Sequence, residues 1–276
     1  MARPYLKMNG LGNDFVVVEA RSAAFEPTEA EVRRIADRTA GIGCDQLVSI
    51  ERSARADARV RFWNADGGEV GACGNGARCA AWLLMKASGR GTATLEVGER
   101  VLHASRAGER AVTVDMGAPG LDWPDIPLEE AMDTRGIELE YGPRGAPVLH
   151  TPGAVSMGNP HAVFFVADAE GAPVREAGSL LERHPLFPEG ANIGFCEVRG
   201  RDRVRLRVWE RGAGETAACG TGACAAAVAA HRRGLTDRRV EVLMNGGPLT
   251  VHWREADGHV LLTGPVALDG TGVLPG

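Results

Sequence analysis

Residues 59–81 and 205–227 are two copies of one segment. At an offset of 146 they align without a gap and 12 of the 23 pairs are identical, where composition alone supplies about two. The matched pairs include Trp63/Trp209, Glu69/Glu215, Cys73/Cys219, Gly74/Gly220 and Gly76/Gly222. Outside this window the same offset pairs Gly12-Asn13 with Gly158-Asn159, Gln46 with Asn192, Asn64 with Glu210, and Pro119 with Pro265. Short repeats of roughly 20–50 residues build solenoids, whereas one duplication of a long unit calls for two similar domains facing each other. We place the first half-repeat at residues 1–118 and the second at 119–264.

Local patterning predicts the same order of elements in each half. In the first, a strand over 15–19 is followed by a helix over 28–39 opened by a Thr28…Glu31 capping box, then strands over 47–50 and 60–64. A helix from about Gly76 to Ser88 stops at Gly89, and strands follow over 92–97, 101–104 and 112–115. In the second half the corresponding strands fall at 162–166, 193–198, 204–210, 240–244, 249–253 and 260–262, with helices over 174–183 and 222–233. Strands cluster without regular alternation with helices, so the expected class is α+β with mostly antiparallel sheet. The helices that follow the two copies, CAAWLLM from Cys79 and CAAAVAA from Cys224, are apolar all round. Such helices are buried on every side, which a sheet curled around a central helix supplies.

Each copy sets a cysteine immediately before a glycine-rich turn into that helix: ACGNGARC at 72–79 and ACGTGAC at 218–224. Helix N-termini carry unpaired N–H groups and the positive end of the macrodipole. Cys73 and Cys219 are therefore expected to have thiol pKa values lowered from about 8.5 toward neutrality. The amides of Gly74-Asn75-Gly76 and Gly220-Thr221-Gly222 are expected to hold a carboxylate. Two such sites aimed at one ligand would remove a proton from one face of Cα and return one to the other, with one cysteine as base and its partner as acid. The amides would also stabilise the charge that develops on the carboxylate. Nearby, Arg211 can grip a second carboxylate, while Asn13, Asn64, Asn159, Asn192 and Glu210 can accept from ammonium groups. Taken alone each reads as a turn or cap residue before a ligand, and it is the pairing across the halves that brings the ligand reading level with it. His161 is a candidate proton relay, or a packed histidine. Cys44, Cys79, Cys196 and Cys224 lack partners across the offset and read as small buried hydrophobes.

Composition narrows the alternatives. A net charge of −5 with no dense block of basic residues argues against nucleic acid. No run of about 18 apolar residues crosses a membrane, and the first residues lack the pattern of a secretory signal, so a cytoplasmic chain is expected. The six cysteines are too few for a disulfide framework in a chain of this length, and their spacing does not suit zinc, so no metal is expected. Lys7 and Lys86 are the only lysines, and neither adjoins a recognisable phosphate cup, which makes pyridoxal phosphate a poor fit.

NGLGNDF at 9–15, GIGCDQ at 41–46, WNADGGEVGACGNGARC at 63–79, GAVSMGNPH at 153–161, NIGF at 192–195 and ERGAGETAACGTGAC at 210–224 resemble, in order and over nearly the full length, the motifs of the diaminopimelate epimerase family. The resemblance implies a cofactor-independent isomerase that interconverts LL- and meso-diaminopimelate in lysine and peptidoglycan precursor synthesis. It implies two pseudo-symmetric domains, each a mostly antiparallel sheet wrapped around a central helix, with residues 265–276 as a tail packing back on the first half. It makes Cys73 and Cys219 the acid/base pair. Substrate contacts fall to Asn13, Gln46, Asn64, Asn159, Asn192, Glu210 and Arg211 and to the backbone of Gly74, Asn75, Gly220 and Thr221, with His161 and Glu210 as candidate relays. No cofactor is expected, the partner is a small molecule, and a homodimer is left open. The departures from the family pattern are Trp63 in place of the more usual Phe and Cys44 inside the GIGCDQ segment. The rivals are a proline racemase-like enzyme, an isomerase of the phenazine-synthesis type, and an amino-acid binding module without catalysis.

Overall fold

A computed structural model describes residues 3–71 and 73–274 and divides them into two units. One holds the described residues up to Asp115 together with those from Thr263 onward; the other is Met116–Leu262.

The first unit carries β1 (Pro4–Gly10), β2 (Asn13–Glu19), α1 (Glu29–Ala36), β3 (Gln46–Glu51), β4 (Ala58–Asn64), β5 (Glu69–Val70), α2 (Gly74–Ser88), β6 (Thr92–Val97), β7 (Arg100–Gly108) and β8 (Ala111–Asp115). Pairing is antiparallel for β1/β2, β3/β4, β6/β7 and β7/β8, and parallel for β2/β3 and β4/β6. Helix α2 packs against β1, β2, β4, β6, β7 and β8, so it is a central helix lined by the sheet. Four successive residues of β2, Phe15–Val18, are buried because the strand is covered on both faces. Val16 and Val18 join Val32 and Ile35 of α1, and Phe15 touches the start of α2.

The second unit opens with an additional antiparallel pair, β9 (Glu140–Tyr141) and β10 (Leu149–His150), and then repeats this order with β11 (Gly153–Ser156), β12 (Pro160–Phe165), α3 (Val174–Leu181), β13 (Asn192–Val198), β14 (Arg203–Glu210), β15 (Gly214–Thr216), α4 (Gly220–Arg232), β16 (Arg239–Met244), β17 (Gly247–Trp253) and β18 (Val260–Pro265), the last crossing the boundary between units. Helix α4 is buried almost throughout and packs against β11, β12, β13, β14, β16 and β17. Small side chains make this possible: six of its residues, Ala223, Ala225–Ala227, Ala229 and Ala230, are alanines that let strands approach from every direction. The last strand, β19 (Ala267–Val273), pairs antiparallel with β1 in the first unit.

Register carries the duplication into three dimensions. Phe15 lies opposite Gln46 and His161 opposite Asn192; Leu47 lies opposite Trp63 and Ile193 opposite Trp209; Trp63 lies opposite Glu69 and Trp209 opposite Glu215. Every one of these pairs keeps the offset of 146. After α4 the offset becomes 147, since Thr92 opposite Ser105 corresponds to Arg239 opposite His252.

Several boundaries differ from the sequence reading. The Thr28 capping box forms, but α1 ends at Ala36 because Asp37 turns out of the helix and its carboxylate accepts from the Thr39 and Ala40 amides. The two central helices start at Gly74 and Gly220, two residues earlier than read, because each cysteine is itself the N-cap. Strands β1, β11 and β19 and the short strands β5, β9, β10 and β15 form where local patterning predicts none.

Candidate functional site

In the first unit, β1 and β2 are joined by the two-residue turn Leu11-Gly12, both with positive φ, as a tight hairpin of right-handed twist requires. The turn delivers Asn13 to the end of β2. Gln46 opens β3 and Asn64 closes β4; they are register partners, and Gln46 Nε2 donates to Asn64 Oδ1 at 2.8 Å. The other polar atom of Gln46, Oε1, is buried with no donor among the described residues. Cys73 is the N-cap of α2, with Sγ accepting from Gly76 N at 3.3 Å and its carbonyl accepting from Ala77 N. The Gly74 and Asn75 N–H groups are left without an acceptor among the described residues. The thiol of Cys73 donates to Asn13 Oδ1 at 3.8 Å, and Asn75 Nδ2 donates to the same oxygen at 3.5 Å. Asn13, Gln46, Asn64, Cys73, Gly74 and Asn75 thus occupy one end of the first unit's sheet and helix.

In the second unit the same places hold Asn159, Asn192, Glu210, Cys219, Gly220 and Thr221. Cys219 caps α4 in the same geometry, with Sγ accepting from Gly222 N at 3.3 Å. Its sulfur lies 3.6 Å from Thr221 Oγ1, which is 3.4 Å from Asn159 Nδ2. Asn159 Oδ1 lies 3.1 Å from His161 Nε2. Asn192 donates to Pro160 O at 2.9 Å and accepts from Arg211 N at 3.0 Å. Arg211 is exposed, and its Nη1 is pinned on Glu189 O at 2.6 Å, which leaves the rest of the guanidinium edge available. It lines an open cavity of about 430 Å³ with Glu182, Arg183, Phe187, Pro188, Glu189, Gly190 and Gly212.

Electrostatics correct one expectation. Burial pushes the Cys219 thiol well above its ordinary pKa, and the neighbouring Glu210 pushes it further, while the hydrogen bonds from Thr221 and Gly222 oppose them weakly. Desolvation of a thiolate outweighs the helix N-terminus here, so Cys219 rests as a thiol. His161 is buried and held down to about pKa 3, by desolvation first and by Arg211 second. It is neutral at working pH, and its Nε2 is engaged with Asn159. Burial likewise raises Cys44 to about 11 and Cys79 and Cys196 to about 12, as inert packing thiols should be.

Two acidic residues at the site were not singled out from sequence. Asp45 accepts from Asn13 Nδ2 at 2.8 Å, and Glu182 accepts from the Trp209 indole at 2.8 Å and from Gly212 N at 3.0 Å. Glu182 thereby fixes the turn that carries Glu210 and Arg211. Asp45 adjoins Gln46 inside the GIGCDQ segment, where the amino-acid order makes it visible; Glu182 gives no signal without the fold.

The sequence model of the diaminopimelate epimerase family matches residues 5–121 and 153–268. A diaminopimelate epimerase of Phenylobacterium zucineum is 62% identical, over all of this chain and 99% of its own length. That of Caulobacter vibrioides is 55% identical, over 100% of this chain and 98% of its own. Among solved structures, a predicted epimerase from Pseudomonas aeruginosa superposes with a TM-score of 0.70 at 20% identity, covering 99% of both chains. A hydroxyproline epimerase from Agrobacterium vitis, with bound trans-4-hydroxy-L-proline, gives 0.69 at 16% identity over 99% of this chain and 92% of its own. At these identities the two structures speak for the fold.

Proposed function

The chain belongs to the diaminopimelate epimerase family, and from that membership we propose that it interconverts LL- and meso-diaminopimelate by proton transfer at one α-carbon, with Cys73 and Cys219 as the two proton-transfer groups. The observation that carries the reading is the repetition, in each unit, of a cysteine that caps the central helix through its own sulfur, at the helix start where the first backbone amides point outward. Amides so placed bind the α-carboxylate and stabilise the charge that flows onto it as the α-proton leaves. One sulfur takes that proton while the other delivers its own to the opposite face, which inverts the centre without redox change.

In this reading the chain supplies the remaining parts from its own side chains. Glu210, beside Cys219, accepts the thiol proton when that sulfur must act as base. The buried Gln46 Oε1 takes an N–H from a substrate ammonium, which removes the cost of leaving it unpaired. Arg211, pinned by Glu189 and by the Glu182-held turn, grips the distal carboxylate. His161, neutral and bonded to Asn159, orients that asparagine instead of relaying a proton.

Incubating the chain with LL-diaminopimelate in D2O tests this. Epimerisation with deuterium entering one α-position is expected, and Cys73→Ala and Cys219→Ala should each reduce it by about 10²–10⁴-fold with the fold retained. Substantial turnover in either variant overturns the two-thiol scheme, and bound substrate with its α-proton unexchanged overturns the enzymatic reading.

A further inference from the structure

Cys73 is approached by a directional chain of side-chain hydrogen bonds that runs between two opposite charges. Arg78 Nη2 donates to Asn75 Oδ1 at 2.6 Å, Asn75 Nδ2 donates to Asn13 Oδ1 at 3.5 Å, and Asn13 Nδ2 donates to Asp45 Oδ2 at 2.8 Å. Asp45 is held in turn: its Oδ2 accepts from Asp14 N at 3.0 Å, and its Oδ1 pairs with Arg38 at 2.7 Å. A guanidinium can only donate and a carboxylate can only accept. Both amides therefore have one permitted orientation, because turning either would set N–H against Arg78 or C=O against Asp45. The consequence falls on Cys73, whose Sγ meets the carbonyl oxygen of Asn13 and not its NH2.

We propose that Asp45 is a positioning residue that locks Asn13 with Oδ1 toward Cys73, so that the sulfur is held as a thiol until substrate arrives. The Asn13 oxygen favours S–H over thiolate and so opposes the Gly76 N–H that the same sulfur accepts at 3.3 Å, whereas an Asn13 N–H in its place would add to that donor and favour the thiolate. The device belongs to the first unit. At the offset of 146 Asp45 corresponds to Ala191, which is buried and carries no acceptor side chain. There Asn159 directs Oδ1 to His161 and Nδ2 to Thr221, on the side of Cys219, so the two equivalent asparagines present opposite ends to their cysteines. The amide pair thereby makes the two half-sites chemically unequal although the backbone repeats.

The proposal rests on reading Cys73 as a proton-transfer group, but its test needs no turnover. Tryptic peptide 62–78 carries Cys73 as its only cysteine, so the pH dependence of its carbamidomethylation by iodoacetamide can be read by mass spectrometry in the intact, substrate-free chain. Asp45→Asn preserves shape while freeing the Asn13 amide to turn, and the alkylation midpoint of Cys73 is expected to fall by about half to one pH unit. Asp45→Ser should move it the same way, and thermal unfolding establishes that each variant is folded. Loss of the Asp45 charge alone also favours the thiolate, so the decisive comparison is made on Asn13→Ala, where Asp45→Asn should produce little further shift. An unchanged or raised midpoint in Asp45→Asn, or an equal fall with Asn13→Ala present, overturns the proposal. If the wild-type chain shows no epimerisation yet the predicted shifts occur, the positioning role stands and the proposed reaction falls.

Discussion

At the scale of single residues, burial and helix polarity pull Cys219 in opposite directions, and burial wins. The helix start is visible in the amino-acid order, but the desolvation of Cys219 and the approach of Glu210 depend on how β14 and α4 pack. The direction of the thiol shift was therefore not legible in sequence, whereas the identity of the capping residue was. His161 behaves alike: its place in GNPH suggests chemistry, yet in the fold it is fully buried and neutral. This has a signed consequence for stability. The folded pKa of about 3 lies below the ordinary value of 6.5, so the unfolded chain binds more protons between those limits. The contribution of a neutral His161 is fully present above about pH 6.5 and is lost as pH falls toward 3, at up to about 1.4 kcal/mol per pH unit. Denaturant titrations from pH 7.5 to 4 should show wild-type stability falling more steeply than that of His161→Asn. Parallel pH profiles would mean that His161 takes up its proton without unfolding.

At the scale of elements, the central helices depend on how closely the strands can approach them. A Cβ on Gly76 would meet the buried Phe62 ring at 2.7 Å and Phe15 at 3.3 Å, whereas one on Gly222 would meet Cys219 Sγ and Val208 at 3.1 Å. Gly76→Ala should therefore destabilise by about 1–3 kcal/mol through overpacking, and Gly222→Ala by less, as chemical denaturation of both variants can establish. Equal costs would imply that Phe62 shifts freely. Helices and β-branched strands were readable because their patterns are strong: VVV in β2 and the alanine run of α4 admit few alternatives. β1 and β19 were not, since PYLKMNG has no alternation of that kind and ALDGTGV carries two glycines and an aspartate. β1 exists because β2 and β19 complete its hydrogen bonds on both sides, and β19 because β1 offers it an edge to pair with, which is a tertiary cause.

At the scale of the whole molecule, the duplication was the most legible feature because sequence identity and strand register report the same offset. The change from 146 to 147 beyond α4 was hidden, since identity fades there while register does not. The chain path adds an asymmetry to the duplication. The second unit is one continuous segment, but the first is closed only when the chain returns after Thr263 and β19 pairs along β1 from Pro4/Val273 to Asn9/Ala267. The same unit joins Thr113 to Thr263 through their hydroxyls at 2.7 Å and Val266 N to Arg110 O at 2.9 Å. Ending the chain at Leu262 would remove all of these and leave β1 as an unpaired edge, with its backbone groups on that side returned to water. Hydrogen exchange on such a truncated chain should show protection lost first in Tyr5–Met8 and β8, with the amides of α4 and β13 losing far less. Uniform loss of protection would mean that the two units unfold as one, and full retention in β1 would mean that β19 contributes nothing to the closure of the first unit.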